Sequence, residues 1–211
     1  MEQHLMTQVD DPDALPQPLG EYKPVDYWQA HINTLFYQLR GDQQRSFYQT
    51  FTSADYRLAH ALAADYFEQV VKRDQKVAAK RATSNGPAAT PSIEPAASSQ
   101  LTVMEWGPGN GNLAACFLSH LQVLDKDGRV YPRVRYILVD SQARALEQAR
   151  AHPDLAPHLA KVESLCADVQ SLTTVADGTV DRILCNELWN ELAPKLMVKK
   201  GAEYEEEHLR P

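Results

Sequence analysis

The sequence predicts an α/β fold in which parallel strands alternate with helices. From Leu101 onward, short apolar runs such as LTVMEW (101–106) and RYILVD (135–140) are each followed by a segment whose apolar residues recur every three or four positions. RYILVD shows no polar alternation, which is typical of a strand covered on both faces. Strands that alternate with helices form parallel sheets with right-handed crossovers.

Four strands are predicted, in LTVMEW, RYILVD, KVESLCADV and DRILCNEL, the last ending near Cys185 or Asn186. Between them we predict a helix over 112–124 with Asn112 as its N-cap, and a helix that starts at Ser141. We expect the sheet to stop after the fourth strand, so that the domain over 101–211 is incomplete at its C-terminal side. Its open edge would then pair with a second copy or a partner. The final stretch, GAEYEEEHLRP, either starts another strand or has no regular structure.

A helical segment, residues 25–75, precedes this domain. Its first helix has an apolar stripe at three- and four-residue steps, and a second helix runs from about Ser53 to about Lys72. Residues 1–24 are expected to be a flexible tail. Residues 76–100 are rich in Ala, Ser, Thr and Pro, which predicts a low-complexity linker.

Composition excludes several classes of protein. The chain has 21 Lys and Arg against 28 Asp and Glu, a net charge of -7, so no nucleic-acid partner is expected. The three cysteines are odd in number and form no CxxC pair, which argues against a disulfide framework or a metal site. No apolar run approaches the length of a membrane span, and the N-terminus lacks the features of a signal peptide. We therefore expect a cytoplasmic protein.

The most informative stretch is MEWGPGNGN, 104–112, at the turn between the first predicted strand and its helix. Gly107, Gly109 and Gly111 stand at every second position. Glycine permits positive φ and the close approach of a ligand, and doubly wound sheets bind ligands at such a turn. The free N–H groups of the helix start favour an anionic group. This much suits either a dinucleotide or S-adenosylmethionine.

The spacing favours the second ligand. A dinucleotide site has the pattern G-x-G-x-x-G, whereas this chain has G-x-G-x-G, and Pro108 lacks the N–H that a phosphate loop would use. Glu105, two positions before the first glycine, could meet a cationic amino group. The pattern therefore suits an amino-acid-like headgroup, with its carboxylate at the backbone N–H groups and its ammonium at Glu105.

The stretch from Glu105 to Gly111 resembles motif I of class I S-adenosylmethionine-dependent methyltransferases, which implies a Rossmann-like methyltransferase sheet. The resemblance implies that Asp140, at the end of the second strand, binds the ribose hydroxyls of the cofactor. It implies that Asp168, just beyond the third strand, contacts the adenine amine. CNELWNELAPKL follows the fourth strand, where substrate-facing residues of the family usually lie.

A narrower resemblance is to the MidA-like branch, which includes assembly-factor methyltransferases of respiratory complex I. ILVDSQARALEQAR and ILCNELWNELAP are similar to its motifs, with matches at Asn186, Glu187 and Pro194. The chain departs from the pattern at Asn190, where the branch has Asp. The glycine-rich threonine loop of the branch is echoed only by YQTFTSADY (48–56), which has no glycine.

Structural alternatives stand beside these assignments. The glycines could form a plain tight turn, and Asp140 and Asp168 could merely end strands, since acids favour the start of a following helix. Asn186 and Glu187 could be a helix cap and a first-turn acid. Glu187 and Glu191 are four residues apart and would share a helix face, where they could hold a guanidinium or lie at the surface.

The function that these patterns predict is methyl transfer from S-adenosylmethionine to a protein side chain such as arginine. Glu187 and Asn186 are the candidate catalytic residues; Glu187 would orient the acceptor or take its proton. No metal is needed, because the sulfonium already activates the methyl group. Two alternatives remain open: a non-catalytic assembly or binding protein that keeps the cofactor fold, and another nucleotide-dependent enzyme, such as a dehydrogenase or an aminopropyl transferase.

Overall fold

The structure is a computed structural model that describes residues 20–40, 50–84, 99–189 and 191–210. In chain order its elements are β1 (Lys23–Pro24), α1 (Val25–Arg40), α2 (Arg57–Ser84), β2 (Leu101–Trp106), α3 (Asn112–Leu124), β3 (Val134–Asp140), α4 (Ala143–Arg150), β4 (Val162–Cys166), β5 (Arg182–Cys185), β6 (Met197–Lys200), β7 (Glu203–Glu206) and β8 (His208–Leu209). Short 3-10 helices lie at Phe51–Ser53, Tyr131–Arg133, Pro153–Lys161 and Val169–Ser171.

The chain divides into two compact units. The larger unit is Arg45–Trp189, and the smaller unit combines Met1–Gln44 with Asn190–Pro211. The larger unit holds the sheet that the sequence predicts. Its four strands have the order β4-β3-β2-β5 and are all parallel. The prediction of a Rossmann-like parallel sheet with flanking helices is thereby confirmed.

The core of the larger unit lies on both faces of this sheet. Along β2, Leu101, Val103 and Glu105 share one face because successive side chains of a strand point to opposite sides. That face packs on α2 and α3 through a cluster that includes Tyr66, Phe117 and Tyr136. The opposite face carries a smaller cluster. Its members are Met104, Ile137 and Val139, with Trp106, Leu165, Val169, Leu172, Val175 and Val180 packed against them.

Helix α2 is longer than the sequence analysis predicts. It was expected to run from about Ser53 to about Lys72, but it begins at Arg57, after the 3-10 helix that contains Ser53, and continues to Ser84. It therefore takes up the first nine residues of the predicted linker. The reason is composition, since Ala, Lys, Arg and Gln are strong helix formers even where no apolar stripe is present. The rest of that linker, 85–98, lies outside the described residues, as do residues 1–19 of the predicted tail.

Two further helix starts, those of α3 and α4, need correction. The N-cap of α3 is Gly111 rather than Asn112, because Gly111 has φ 83° and Asn112 is already helical. Helix α4 starts at Ala143, two residues after the predicted Ser141, with Gln142 as its N-cap. Both shifts arise from backbone conformation at the end of a strand, which a pattern of apolar residues does not specify.

In the smaller unit, β1 pairs antiparallel with β8, and β6 forms an antiparallel hairpin with β7. The final residues thus do form strands. The Trp28 indole N–H, on α1, donates to the Leu209 carbonyl at 2.8 Å. Although α1 forms as predicted, its apolar stripe is largely exposed; the exposed residues are Ile32, Leu35, Phe36 and Leu39. Among the described residues, no helix combines the length and apolar character that a membrane crossing requires.

Candidate cofactor site

The predicted site residues lie at one edge of the parallel sheet. The glycine turn follows β2, Asp140 ends β3, Asp168 follows β4, and Asn186 and Glu187 follow β5. Because the four strands are parallel, their carboxyl ends meet at the same edge, where α/β sheets bind ligands. Four separate predictions from the sequence therefore converge on one region of the larger unit.

The glycine turn is fixed to the neighbouring strand. The Gly107 N–H donates to the Val139 carbonyl on β3 at 2.9 Å, and the Gly111 N–H donates to the Pro108 carbonyl at 2.9 Å. Gly111 has φ 83°, and a Cβ there would collide with the backbone of Ala149 on α4. This glycine therefore serves the packing of the turn against α4.

Gly109 has a different environment. Its φ is 55°, and a Cβ built there meets nothing within 4 Å among the described residues. The residue is exposed at the tip of the turn. Packing within the protein does not require glycine at this position, whereas close approach of a ligand does. Of the three glycines, Gly109 is the one whose lack of a side chain leaves room beside the turn.

A segment that precedes α2 covers this turn. The Asn112 side-chain amide donates to the carbonyls of Thr52 at 2.7 Å and Asp55 at 3.2 Å. The Asn110 amide donates to the Ser53 carbonyl at 2.7 Å. Residues 50–56, which we call the cap segment, are thus tied to the glycine turn through two asparagines of that turn.

The cap segment also binds the end of β5. The Asn186 amide donates to the Thr52 hydroxyl at 2.9 Å, and Thr52 is only 7% exposed. Since its amide is used in this way, Asn186 positions the loop after β5 against the cap segment. Thr52, Asn110 and Asn112 are residues that the sequence analysis did not select for the site. The only signal for Thr52 was the faint similarity of 48–56 to the threonine loop of the MidA-like branch, whereas Asn110 and Asn112 lie within the glycine stretch 104–112.

Glu187 is exposed and has φ 53°, in the left-handed region that non-glycine residues rarely adopt. Residues 186–189 and 191–193 form bends and a turn, so the predicted helix after β5 is absent from the described part of this loop. The prediction that Glu187 and Glu191 share a helix face is therefore wrong. A left-handed residue at the strand end prevents the chain from continuing directly into a helix.

Asp140 lies half-buried at the end of β3. Its Oδ1 accepts a hydrogen bond from the Gln142 N–H at 2.8 Å. Burial raises the pKa of Asp140, and backbone hydrogen bonds from Gln142 and Ser141 oppose that rise. The carboxyl group thus supports the start of α4, which is the structural role that the sequence analysis kept open for Asp140. Asp140 also directly follows Val139, whose carbonyl accepts from the Gly107 N–H. Binding of a cofactor hydroxyl is compatible with this structural role because a carboxylate has more acceptor positions than these backbone bonds use.

Asp168 is exposed beyond β4. Its Oδ1 accepts from the Gln170 N–H at 2.9 Å, which makes it the N-cap of the 3-10 helix Val169–Ser171. The neighbouring Ala167 N–H donates to the Asp140 carbonyl at 2.9 Å, so the chain segments that bear the two aspartates are joined directly.

Glu105 lies in the core. It is 2% exposed, and its Oε2 accepts a hydrogen bond from the Tyr136 hydroxyl at 2.7 Å. Burial raises the pKa of Glu105 to about 8, although the bond from Tyr136 acts in the opposite direction. In this structure the carboxyl group points to the apolar side that carries Leu101 and Val103, and its contact with an ammonium group stays a prediction.

Among the described residues, no group of three or more His, Cys, Asp or Glu side chains is placed to hold a metal ion. All three cysteines, Cys116, Cys166 and Cys185, are free thiols. This edge of the sheet carries a glycine turn with exposed backbone, several carboxylates, and a loop after β5 that is held by hydrogen bonds.

Comparison with known proteins agrees with this picture. A family model described as "Putative S-adenosyl-L-methionine-dependent methyltransferase" matches residues 87–209, which include every predicted site residue. None of the curated proteins matches the chain.

Among solved structures, an uncharacterized superfamily protein from Burkholderia thailandensis is 22% identical, with TM-score 0.40, and the match covers 93% of this chain and 48% of that one. A superfamily member from the same organism, bound to S-adenosyl-homocysteine, is 18% identical, with TM-score 0.48, and the match covers 93% of this chain and 50% of that one. The plantazolicin methyltransferase BpumL, in complex with a substrate analog and S-adenosyl-homocysteine, is 11% identical, with TM-score 0.27, and the match covers 72% of this chain and 45% of that one. The chain spans about half the length of these proteins.

Proposed function

Because this chain belongs to the family of S-adenosyl-L-methionine-dependent methyltransferases whose model it matches, we propose that it transfers a methyl group to a nitrogen of a protein side chain, with arginine as the acceptor. The observation on which the proposal depends is the convergence of the glycine turn, Asp140 and the loop after β5 at one sheet edge. The match of Asn186, Glu187 and Pro194 to the MidA-like pattern supports the protein acceptor and membership of that branch. The free cysteines fit a reducing compartment, the cytoplasm.

The described residues fit the cofactor of the family, S-adenosyl-L-methionine. In this proposal the space beside Gly109 admits the methionine part of the cofactor, and Asp140 at the end of β3 accepts from the ribose hydroxyls; the open space at Gly109 supports this assignment. Asp168 is exposed and near Asp140, as a contact to the adenine amine would require. Glu105 fits less directly, because its carboxyl group is buried and bonded to Tyr136.

When bound, the cofactor supplies a methyl group on a positively charged sulfur. The chain's own residues then have to hold the acceptor nitrogen in line with that group and to keep its lone pair free. Glu187, exposed after β5, accepts a proton from the acceptor nitrogen in this proposal. Asn186 keeps the loop in place through its bond to Thr52. The acceptor nitrogen gains the methyl group and loses one proton, and S-adenosyl-homocysteine leaves.

The variant Asp140→Asn tests the cofactor assignment. Asparagine keeps the Oδ1 that accepts from Gln142 N–H, so the start of α4 is preserved, but the negative charge is lost. A hydrogen bond to a charged group contributes roughly 1.5–3 kcal/mol. We expect the affinity for S-adenosyl-homocysteine to fall by about 10- to 100-fold in calorimetry, with an unfolding midpoint close to that of the parent chain.

Asp177→Asn, in an exposed turn of the same unit, is the matched control and should bind like the parent. An affinity of Asp140→Asn within twofold of the parent would show that Asp140 serves only the helix start. Tighter binding of NAD than of S-adenosyl-homocysteine to the parent chain would contradict the cofactor assignment.

The acceptor is tested separately. S-adenosylmethionine with an isotopically labelled methyl group is incubated with the chain and with protein extract, and the proteins are hydrolysed to amino acids. We expect label in methylated arginine, and its loss in Glu187→Gln while S-adenosyl-homocysteine still binds. Label in another amino acid would refute arginine, and cofactor binding without any transfer would support a non-catalytic binding protein.

A further inference from the structure

The larger unit has a second concave surface that the methyltransferase site does not use. A cavity of about 520 Å³ lies along α2, which is within the size range of small-molecule pockets. Its lining includes Tyr66, Lys72, Arg73, Lys76, Asp181 and Arg182. We call it the α2 cavity.

The α2 cavity lies at the opposite edge of the sheet from the glycine turn. Asp181 directly precedes β5, and its Oδ2 accepts from the Thr102 N–H at the start of β2 at 2.7 Å. These are the amino ends of two strands whose carboxyl ends lead to Gly107 and Asn186. A ligand in the α2 cavity would therefore not compete for the cofactor site.

The charge of this lining is opposite to that of the whole chain. Five lining residues are cations and Asp181 is the one acid among them, whereas the chain has a net charge of -7. Three of the cations already have acidic partners: Arg73 Nη1 lies 2.6 Å from Asp181, Arg182 Nη2 lies 2.8 Å from Asp65, and Lys72 Nζ lies 2.5 Å from Glu68. For Lys76 no ion pair is found within the described ranges. The five lining cations still outnumber these three acids, which favours an anionic ligand.

Tyr66 supplies the second observation. The residue is 2% exposed, and its hydroxyl is a buried group without a hydrogen-bond partner in the described part of the chain. The Arg182 guanidinium lies over its ring at 5.7 Å from the centroid. Leaving a buried hydroxyl without a partner is unfavourable by about 1–3 kcal/mol. A ligand with acceptor oxygens would satisfy this hydroxyl once the side chains of Arg73 and Arg182 had moved to admit it.

We propose that the α2 cavity binds the phosphate groups of a small phosphorylated molecule, held by Arg73, Lys76 and Arg182 and by a hydrogen bond from the Tyr66 hydroxyl. Guanidinium groups match phosphate oxygens with paired hydrogen bonds, and a lysine adds a point charge. The binding site is separate from the cofactor site, so it does not depend on the proposed function.

Inorganic pyrophosphate is the probe, titrated into the full chain by calorimetry at low ionic strength. We expect binding that is unchanged by saturating S-adenosyl-homocysteine and weakened by added salt. Tyr66→Phe should lower the affinity about tenfold while the unfolding midpoint stays equal to the parent's or rises, since the variant removes an unpartnered hydroxyl. Lys76→Ala should lower the affinity about threefold or more.

Lys126→Ala, an exposed lysine elsewhere in the same unit, is the matched control and should bind pyrophosphate like the parent. The proposal fails if the parent does not bind pyrophosphate, or if Tyr66→Phe and Lys76→Ala bind it as well as the parent. The proposal also fails if Lys126→Ala weakens binding equally, because the loss of affinity would then come from the lower positive charge of the whole chain rather than from the α2 cavity. Displacement of pyrophosphate by S-adenosyl-homocysteine would place the anion at the cofactor site and overturn the proposal.

Discussion

At the level of single residues, the Glu105 carboxyl group couples the stability of the larger unit to pH. Its ordinary pKa of 4.5 is raised to about 8 by burial, against the opposing effect of the Tyr136 hydroxyl. Between these two pKa values the Glu105 carboxyl group is therefore protonated in the folded chain and ionised in the unfolded chain. Since the folded state then binds more protons, unfolding becomes easier as pH rises through this range.

We predict that the free energy of unfolding decreases between about pH 4.5 and pH 8 because of Glu105, and that this contribution levels off above pH 8. Each unit of pKa shift corresponds to about 1.4 kcal/mol, so the total is on the order of a few kcal/mol. In Glu105→Gln, which has no titrating proton, the decrease should largely disappear. Urea unfolding at a series of pH values measures both chains.

Glu147→Gln, on the exposed face of α4, should keep the pH dependence of the parent. If Glu105→Gln and the parent showed parallel curves, the Glu105 carboxyl group would titrate as an ordinary exposed acid, and its burial in the core would be refuted.

At the level of elements, the cap segment joins the glycine turn to the loop after β5. Asn110 and Asn112 donate to its carbonyls, and Asn186 donates to the Thr52 hydroxyl. These bonds link residues more than 50 positions apart in the chain. The two sides of the proposed active site, where the cofactor and the acceptor would lie, therefore share one supporting segment.

We predict that Thr52→Val weakens this support. Valine keeps the shape of threonine but removes the hydroxyl that accepts from the Asn186 amide, which leaves a half-buried donor without its partner. Such a loss destabilises by about 1–3 kcal/mol. We expect faster amide hydrogen exchange over residues 50–56 and weaker binding of S-adenosyl-homocysteine. Mass spectrometry of exchanged peptides and calorimetry measure the two effects.

Thr174→Val is the matched control, because Thr174 is exposed in a loop of the same unit. It should leave both measurements unchanged. Equal exchange rates in the Thr52→Val variant and the parent would mean that the Asn186–Thr52 bond does not restrain the cap segment.

At the level of the whole molecule, every candidate cofactor residue lies within Arg45–Trp189. That unit also contains the parallel sheet and both of its apolar clusters. A unit with its own core can fold alone. We predict that a chain of residues 45–189 unfolds cooperatively and binds S-adenosyl-homocysteine within about threefold of the full chain.

Circular dichroism during urea unfolding and calorimetry test this prediction. The same chain carrying Asp140→Asn is the control for specific binding, and it should lose affinity as it does in the full chain. A gradual, non-cooperative transition would show that the smaller unit is needed to fold the sheet.

Much of the parallel sheet could be predicted from the sequence because its two central strands, β2 and β3, are mostly apolar and buried. Val134–Asp140 and Val162–Cys166 lie where the pattern placed them. The end of α2 and the conformation after β5 could not be predicted in this way. The end of α2 depends on helix propensity in a segment that has no apolar stripe. The conformation after β5 depends on the left-handed backbone at Glu187.

The candidate site was predictable only in part, for a related reason. The glycines, Asp140 and Asp168 stand next to strand ends, so a motif and a strand suffice to place them. Thr52, Asn110 and Asn112 act through hydrogen bonds between segments far apart in the chain. No local pattern marks such bonds, and a polar residue in a turn looks the same whether or not it has a distant partner.

The sequence by itself determined the class of fold, the place of the glycine turn and the strand ends that bear acidic residues, because these depend on periodicity and on short-range geometry. The tertiary structure alone decided that Glu105 is buried against Tyr136, that Asn186 supports the cap segment, and that α2 and the start of β5 enclose a basic cavity. Burial and long-range hydrogen bonds arise only when separate segments pack together, so they change the pKa and the role of a residue without changing its neighbours in the chain.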